Sequence, residues 1–111
     1  MDPDAATGLA RSIAERLQGC VRASDAVARL GGDEFVVVLE HAVLSEATAV
    51  ADRIRVAASR PITVQRRRHA VTASVGISLY PAHGTHASGL LTGADYAMYL
   101  AKRSGKDRTA V

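Results

Sequence analysis

A chain of 111 residues has room for one domain with a single core, and for one function. A formal charge of +3 at pH 7 permits an anionic partner such as a nucleotide but does not require one. The lone Cys20, which we expect to be buried, excludes an intrachain disulfide and indicates a reducing compartment. No apolar run approaches the roughly 18 residues of a membrane span. We therefore expect a cytoplasmic domain without membrane contact.

The first predicted element is an amphipathic helix from about Asp4 to Gln18. Leu9, Ile13 and Leu17 recur every four positions, and charged residues occupy the other faces. The connector that follows carries an arginine and an aspartate three residues apart, at positions 22 and 25. Taken alone, this pair predicts a surface ion pair or a local cap.

Residues Arg29–Leu39 are typical of a β-hairpin with an apolar second strand. Its turn carries two glycines and then two carboxylates: Gly31, Gly32, Asp33 and Glu34. Two glycines supply positive φ at no steric cost, and they leave the backbone open to an approaching phosphate. Turn chemistry alone also fits an ordinary hairpin with polar residues at its tip.

A second helix is predicted over Leu44–Ser59, with Ser45 as the candidate N-cap. Arg53 lies on its polar side, where arginines are ordinarily solvated. Pro61 ends this helix, and a short hairpin follows with Gln65–Arg68 at its tip. Three consecutive arginines without interleaved aromatics or a second basic cluster predict a solvated tip and no nucleic-acid site.

The segment Val71–Leu79 is the clearest strand of the sequence, because apolar and small polar residues alternate along it. Gly76 weakens a strand and often marks the close approach of another backbone or of a ligand. The last helix is predicted over Leu90–Arg103, and the tail Asp107–Val111 can add a short terminal strand.

Four stretches together resemble one known family. The sequence Gly-Gly-Asp-Glu-Phe at 31–35 is the signature of the GGDEF family, the diguanylate cyclases that make cyclic di-GMP from two GTP molecules. The Arg-x-x-Asp motif at 22–25, the strand at 72–78 and the closing segment at 94–106 resemble the same family in the same order. On these motifs the chain is identified as a member of the family over nearly its whole length.

The resemblance implies an α+β fold of two layers over residues 1–111, the palm of nucleotidyl cyclases, with packed helices on an antiparallel-rich sheet. It implies attack by the 3′-hydroxyl of one GTP on the α-phosphate of another, with loss of pyrophosphate. Two Mg²⁺ or Mn²⁺ ions would stabilise the attacking and leaving oxygens. Each domain would bind one GTP, so turnover requires a homodimer, at least transiently. A sensory domain in a longer parent chain is a further partner of this kind of domain.

The resemblance also implies residue roles. Asp33 would be metal ligand and base, and Glu34 would support the site as a second catalytic and metal-binding residue. The substrate-binding positions are Gly31, Gly32, Lys102 and Lys106. The inhibitory site, where cyclic di-GMP shuts the enzyme off, corresponds to Arg22, Asp25 and Arg53. These types suit the ligand, since a guanidinium forks onto phosphate or a guanine edge and a carboxylate accepts from guanine nitrogens.

The chain departs from the family pattern ahead of its first helix. A complete member has there an apolar strand with another metal-binding Asp and a segment whose Asn reads guanine, and a further guanine-binding Asp corresponds to Thr7. One carboxylate turn holds two divalent cations poorly. We therefore expect an N-terminally incomplete domain that is a poor cyclase or none. The alternative is a non-catalytic domain that binds cyclic di-GMP or serves in protein interaction.

The strand that the family has at this point lies in the middle of its sheet. Its slot must be filled by rearrangement or by a partner chain, or it leaves an open edge.

Overall fold

The computed structural model describes residues 3–111. The helices are α1 (Pro3–Gln18), α2 (Leu44–Ser59) and α3 (Ala87–Arg103). The strands are β1 (Ala26–Gly31), β2 (Glu34–Val38), β3 (Ile62–Val64), β4 (Arg67–His69), β5 (Val75–Gly76) and β6 (Thr109–Ala110). All three predicted helices are present, and α3 begins one turn earlier than its apolar pattern indicates. None of these helices, over the described range, has the length and apolarity needed to cross a membrane.

The strands pair in three separate two-stranded sheets. β1 and β2 form the predicted antiparallel hairpin, β3 and β4 form a second one, and β5 pairs with β6 in parallel. The predicted α+β class is confirmed, with helices and mostly antiparallel strands. Within residues 3–111, no strand joins the β1–β2 hairpin to the β5–β6 pair. Among the described residues, therefore, no strand takes the place of the one that the family resemblance puts in the middle of the sheet.

Small side chains build the interior. The buried apolar residues are Ala5, Ala10, Leu17, Cys20, Ala47, Ala51, Ile54, Ala58, Ile62, Ala97 and Ala101. Leu17, Cys20 and Ile54 form one cluster, and Phe35 and Val37 of the hairpin pack against it. Seven of these residues are alanines, whose small side chains let the helices approach closely. The strands of the hairpin contribute no fully buried residue, so their apolar side chains are only partly covered.

Two local predictions are wrong. The strand predicted over Val71–Leu79 is limited to β5, and the rest of that segment pairs with no strand among the described residues. Its side chains alternate in type as they do in a strand, but a strand also requires a neighbouring strand to which its backbone can hydrogen-bond. The predicted N-cap Ser45 lies inside α2, whose N-cap is Val43 and has no side-chain cap bond. The terminal strand expected in the tail is confirmed as β6.

Arg16 joins the ends of α1 and α2. Its guanidinium donates to the carbonyl oxygens of Ala57 at 2.8 Å and Pro61 at 2.9 Å, and also to that of Arg60. These carbonyls lie at the C-terminus of α2, where the last turn lacks intrahelical partners and the helix dipole is negative. A cation from α1 thus caps α2 and fixes where this helix ends.

Gly76 lies where α3 crosses β5. A Cβ built at this position would lie 2.0 Å from the Ala94 carbonyl oxygen and 2.3 Å from the Met98 amide nitrogen. Both atoms belong to the backbone of a helix, which cannot move aside as a side chain can. The close approach that glycine in a strand predicts is therefore to another backbone.

We expect Gly76→Ala to lower the free energy of unfolding by about 1–3 kcal/mol or more, because the added methyl overpacks the contact with α3. Gly89→Ala is the matched control, since a Cβ there meets nothing within 4 Å and the position is helical. That variant should gain about 0.5–1 kcal/mol from helix propensity. Urea unfolding followed by circular dichroism measures both, and an unchanged midpoint for Gly76→Ala would contradict the packing described here.

Candidate functional site

The Gly-Gly-Asp-Glu turn forms the tip of the β1–β2 hairpin. Gly31 has φ +149° and Gly32 has φ +51°, conformations that residues with a Cβ rarely adopt. A Cβ at either position would meet nothing within 4 Å, so the space above the turn is open to a ligand. Arg29 donates from Nε and Nη2 to the Gly32 carbonyl oxygen at 2.9 and 2.7 Å, which fixes the turn.

The two carboxylates of this turn make an incomplete metal site. Asp33 is exposed and Glu34 is partly buried. Across the part of the chain that the structure describes, no group of three or more His, Cys, Asp or Glu side chains is placed to hold a metal ion. Mg²⁺ requires octahedral oxygen coordination, of which two adjacent side chains supply a small share. The residues present do not fit a two-metal centre.

Lys102 and Lys106 lie at the C-terminal end of α3, in its last turn and just beyond it. The helix ends in a Schellman motif: the Gly105 N–H donates to the Lys102 carbonyl at 3.3 Å, and the Lys106 N–H donates to the Ala101 carbonyl at 3.1 Å. Both lysines are exposed. No hydrogen bond or ion pair among residues 3–111 joins this turn to the tip of the hairpin.

A cavity of about 370 Å³ lies between the connector after α1, the end of β2 and α2. It brings together the three residues predicted for the inhibitory site: Arg22, Asp25 and Arg53. Glu46 from the first turn of α2 also lines this cavity. Residues from the connector and from α2 therefore line the same cavity.

The side chain of Asp25 is held in place by two backbone groups. Its Oδ1 accepts from the Glu40 N–H and its Oδ2 from the Arg22 N–H, both at 2.9 Å, and only 2% of its side chain is exposed. The bond from the Glu40 N–H, and next that from the Arg22 N–H, hold the pKa of this carboxyl below its ordinary value of 3.8. Asp25 thus links the segment before β1 to the segment after β2 and closes the base of the hairpin.

The two arginines supply the positive charge. Arg22 donates from Nη2 to the Glu40 carbonyl at 3.0 Å, and its Nε lies 3.7 Å from Asp25 Oδ2, while 62% of its side chain remains exposed. Arg53 is exposed, and its guanidinium makes no hydrogen bond or ion pair with any residue of the described range. The cavity therefore has one oriented and one free guanidinium beside a buried carboxylate.

Sequence reasoning missed two members of the site. Arg29 holds the glycine turn, and Glu40 holds Asp25, but each acts through a backbone carbonyl or N–H. Residue types identify complementary side chains and carry little information about backbone partners. The one available signal is that Arg29 stands three residues before Gly32, within reach of a turn carbonyl.

Comparisons with known proteins agree with the resemblance. The family model "Diguanylate cyclase, GGDEF domain" matches residues 6–108. Diguanylate cyclase TpbB of Pseudomonas aeruginosa is 43% identical over 97 residues, which cover 86% of this chain and 22% of that protein. The chain thus spans about a fifth of the length of this relative.

Solved structures share the fold. The GGDEF domain of TpbB from Pseudomonas aeruginosa superposes with a TM-score of 0.89 at 39% identity, over 96% of this chain and 67% of that chain. The GGDEF domain of DgcB from Caulobacter crescentus, solved in complex with cyclic di-GMP, superposes with a TM-score of 0.80 at 25% identity, over 92% and 61% of the two chains. The overall arrangement of helices and strands is therefore shared with both.

Asp25 should make stability depend on pH. Because its pKa is lower in the folded chain, the carboxylate contributes stability above the unfolded-state pKa, and this contribution is lost as pH falls through the folded-state value. We expect Asp25→Asn to be less stable than wild type at about pH 7, and the difference to shrink at about pH 3. Urea unfolding at both pH values measures this, with the exposed Asp95→Asn as control. A difference of equal size at both would contradict the role of Asp25.

Proposed function

The chain belongs to the GGDEF family of diguanylate cyclases, and from this premise we propose that it binds cyclic di-GMP in the cavity of Arg22, Asp25 and Arg53. The observation that carries the proposal is the convergence of these three side chains on one cavity. A relative, the DgcB domain, was solved with the same ligand, which supports the choice of ligand.

The chemistry of the cavity suits this ligand. Cyclic di-GMP carries two phosphodiester anions and two guanine bases. The exposed guanidinium groups of Arg22 and Arg53 can each donate two parallel hydrogen bonds, either to a phosphate or to the O6 and N7 edge of guanine. Asp25 is 2% exposed and accepts backbone N–H groups at both oxygens, so its part is to hold the segment from which Arg22 extends. By the family resemblance, binding here is inhibitory.

A second candidate function is the condensation of two GTP molecules into cyclic di-GMP. The open glycine turn favours it, because a phosphate can reach the backbone there without meeting a side chain. Asp33 would accept the proton of the attacking 3′-hydroxyl, Glu34 would support the site, and Lys102 and Lys106 would contact the GTP phosphates. Two copies would have to meet as a homodimer, each with one GTP.

This second function requires Mg²⁺ or Mn²⁺ by family resemblance, and the described carboxylates are too few to bind two such ions. We therefore expect residues 1–111 alone to form an incomplete domain that is a poor cyclase or none. We also propose a cytoplasmic location for the chain. The free and buried Cys20 is compatible with the reducing environment of that compartment.

Calorimetric titration with cyclic di-GMP tests the first function. We expect Arg22→Ala and Arg53→Ala each to weaken binding about 10- to 100-fold, the effect of losing hydrogen bonds to a charged group. Arg68→Ala removes the same charge from the exposed strand β4 and should leave the affinity unchanged. Absence of heat with the wild-type chain, or equal affinities of the wild type and both cavity variants, would refute the proposal.

Incubation with GTP and Mg²⁺ tests the second function. We expect no more cyclic di-GMP from the wild-type chain than from Asp33→Asn, when the products are separated by chromatography. The reason is that the described residues lack a complete set of metal ligands. Product formed by the wild type and lost in Asp33→Asn would show that the chain is an active cyclase and that Asp33 takes part.

A further inference from the structure

Arg55 connects α2 to the turn that follows α3. Its Nη2 donates to the Asp107 carbonyl oxygen at 3.0 Å, and its Nε lies 3.5 Å from Asp107 Oδ1. Its Nη1 donates to Asp52 Oδ1 at 3.1 Å, one turn earlier in the same helix. With 30% of its side chain exposed, Arg55 is oriented by its own helix on one side and by the turn on the other.

The turn that Arg55 contacts has an unfavourable backbone conformation. Gly105, Lys106 and Asp107 have φ values of 126°, 62° and 47°. The last two carry a Cβ, which disfavours the left-handed region. Such conformations persist where surrounding contacts hold them. Here the Asp107 carbonyl is held by Arg55, and the Lys106 carbonyl accepts from Arg108 Nε at 3.2 Å.

These contacts fix the backbone of Lys106 and leave its charge free. The Lys106 N–H is bonded to the Ala101 carbonyl, and both carbonyls that follow accept from arginines. The Lys106 ammonium makes no hydrogen bond or ion pair within residues 3–111. A cation on a preorganised backbone is suited to bind phosphate, because little order has to be gained on binding.

We propose that Arg55, acting through Asp107, is the positioning residue that holds Lys106 for the phosphate groups of GTP. The inference rests on the second candidate function, in which Lys102 and Lys106 contact those phosphates. Arg55 itself touches no substrate. The same contact precedes β6, so it also fixes where the chain turns back to pair with Val75 of β5.

The first test is titration of the whole chain with GTP and with inorganic tripolyphosphate, which carries the phosphates without the base. We expect Arg55→Met to weaken both about 5- to 20-fold, as much as Lys106→Met does, because residues that act as a unit are not additive. The double variant should therefore bind no more weakly than either single one. Arg55→Lys keeps the charge without the fork and should fall between wild type and Arg55→Met.

Two controls separate positioning from loss of fold. Arg68→Met removes an arginine charge elsewhere and should bind GTP as the wild type does. Arg55→Met should retain its affinity for cyclic di-GMP, since Arg22 and Arg53 are unchanged. If Arg55→Met fails to fold, Asp107→Asn replaces it: this variant keeps the carbonyl contact, loses the carboxylate and suits the left-handed backbone. A loss of GTP affinity of about 3-fold is then expected.

The outcomes separate this inference from the proposed function. If the wild type binds GTP and Arg55→Met binds it equally, or if the effects of Arg55→Met and Lys106→Met add, Arg55 does not position Lys106. If the wild type binds neither probe, the proposed GTP function fails. Amide hydrogen exchange over residues 105–110 then decides: at least tenfold faster exchange in Arg55→Met supports positioning of the turn, and unchanged exchange overturns it.

Discussion

The packing of α2 against α1 is the interaction on which both candidate sites depend. Leu17 and Cys20 bury Ile54 of α2, and the Arg16 guanidinium caps the C-terminal carbonyls of the same helix. On either side of Ile54 stand Arg53 and Arg55, each about 100° away around the helix axis. The burial of Ile54 therefore places Arg53 at the cavity that Arg22 and Asp25 line, and Arg55 at the turn that follows α3. A shift of α2 would displace both.

The divided sheet bears differently on the two candidate sites. The cavity proposed for cyclic di-GMP is formed by the base of the hairpin and by α2, which are held together by the Asp25 bonds and by the packing of Phe35 and Val37 on the core. The GTP site needs the tip of the hairpin and the end of α3. The tip belongs to the β1–β2 sheet, whereas α3 packs on the separate β5–β6 sheet. No strand pairing among the described residues therefore sets the distance between the tip and the end of α3.

The sequence predicts what local pattern and turn chemistry determine. The helices follow from apolar periodicity, the hairpin from its glycine turn, and the close contact at Gly76 from glycine inside a strand. The extent of Val71–Leu79 could not be predicted, because alternation reports which face is covered and says nothing of the neighbour that completes a ladder. The contacts of Arg16 and Arg55 were also beyond prediction, since their acceptors include backbone carbonyls distant in sequence.

The environment of Asp25 indicates that this residue orients its neighbours, whereas the exposed charges of the cavity belong to other side chains. Both of its oxygens accept backbone N–H groups, which partly balance its negative charge. The side chain is also almost fully buried. Arg22 is held on the Glu40 carbonyl beside it, while Arg53 stays free. The charged groups at this cavity that remain exposed are the guanidinium groups of Arg22 and Arg53 and the carboxylate of Glu46, while the charge of Asp25 is screened by the backbone. In the proposed function, Arg22 and Arg53 would attract the ligand, and Asp25 would act by fixing the segment from which Arg22 extends.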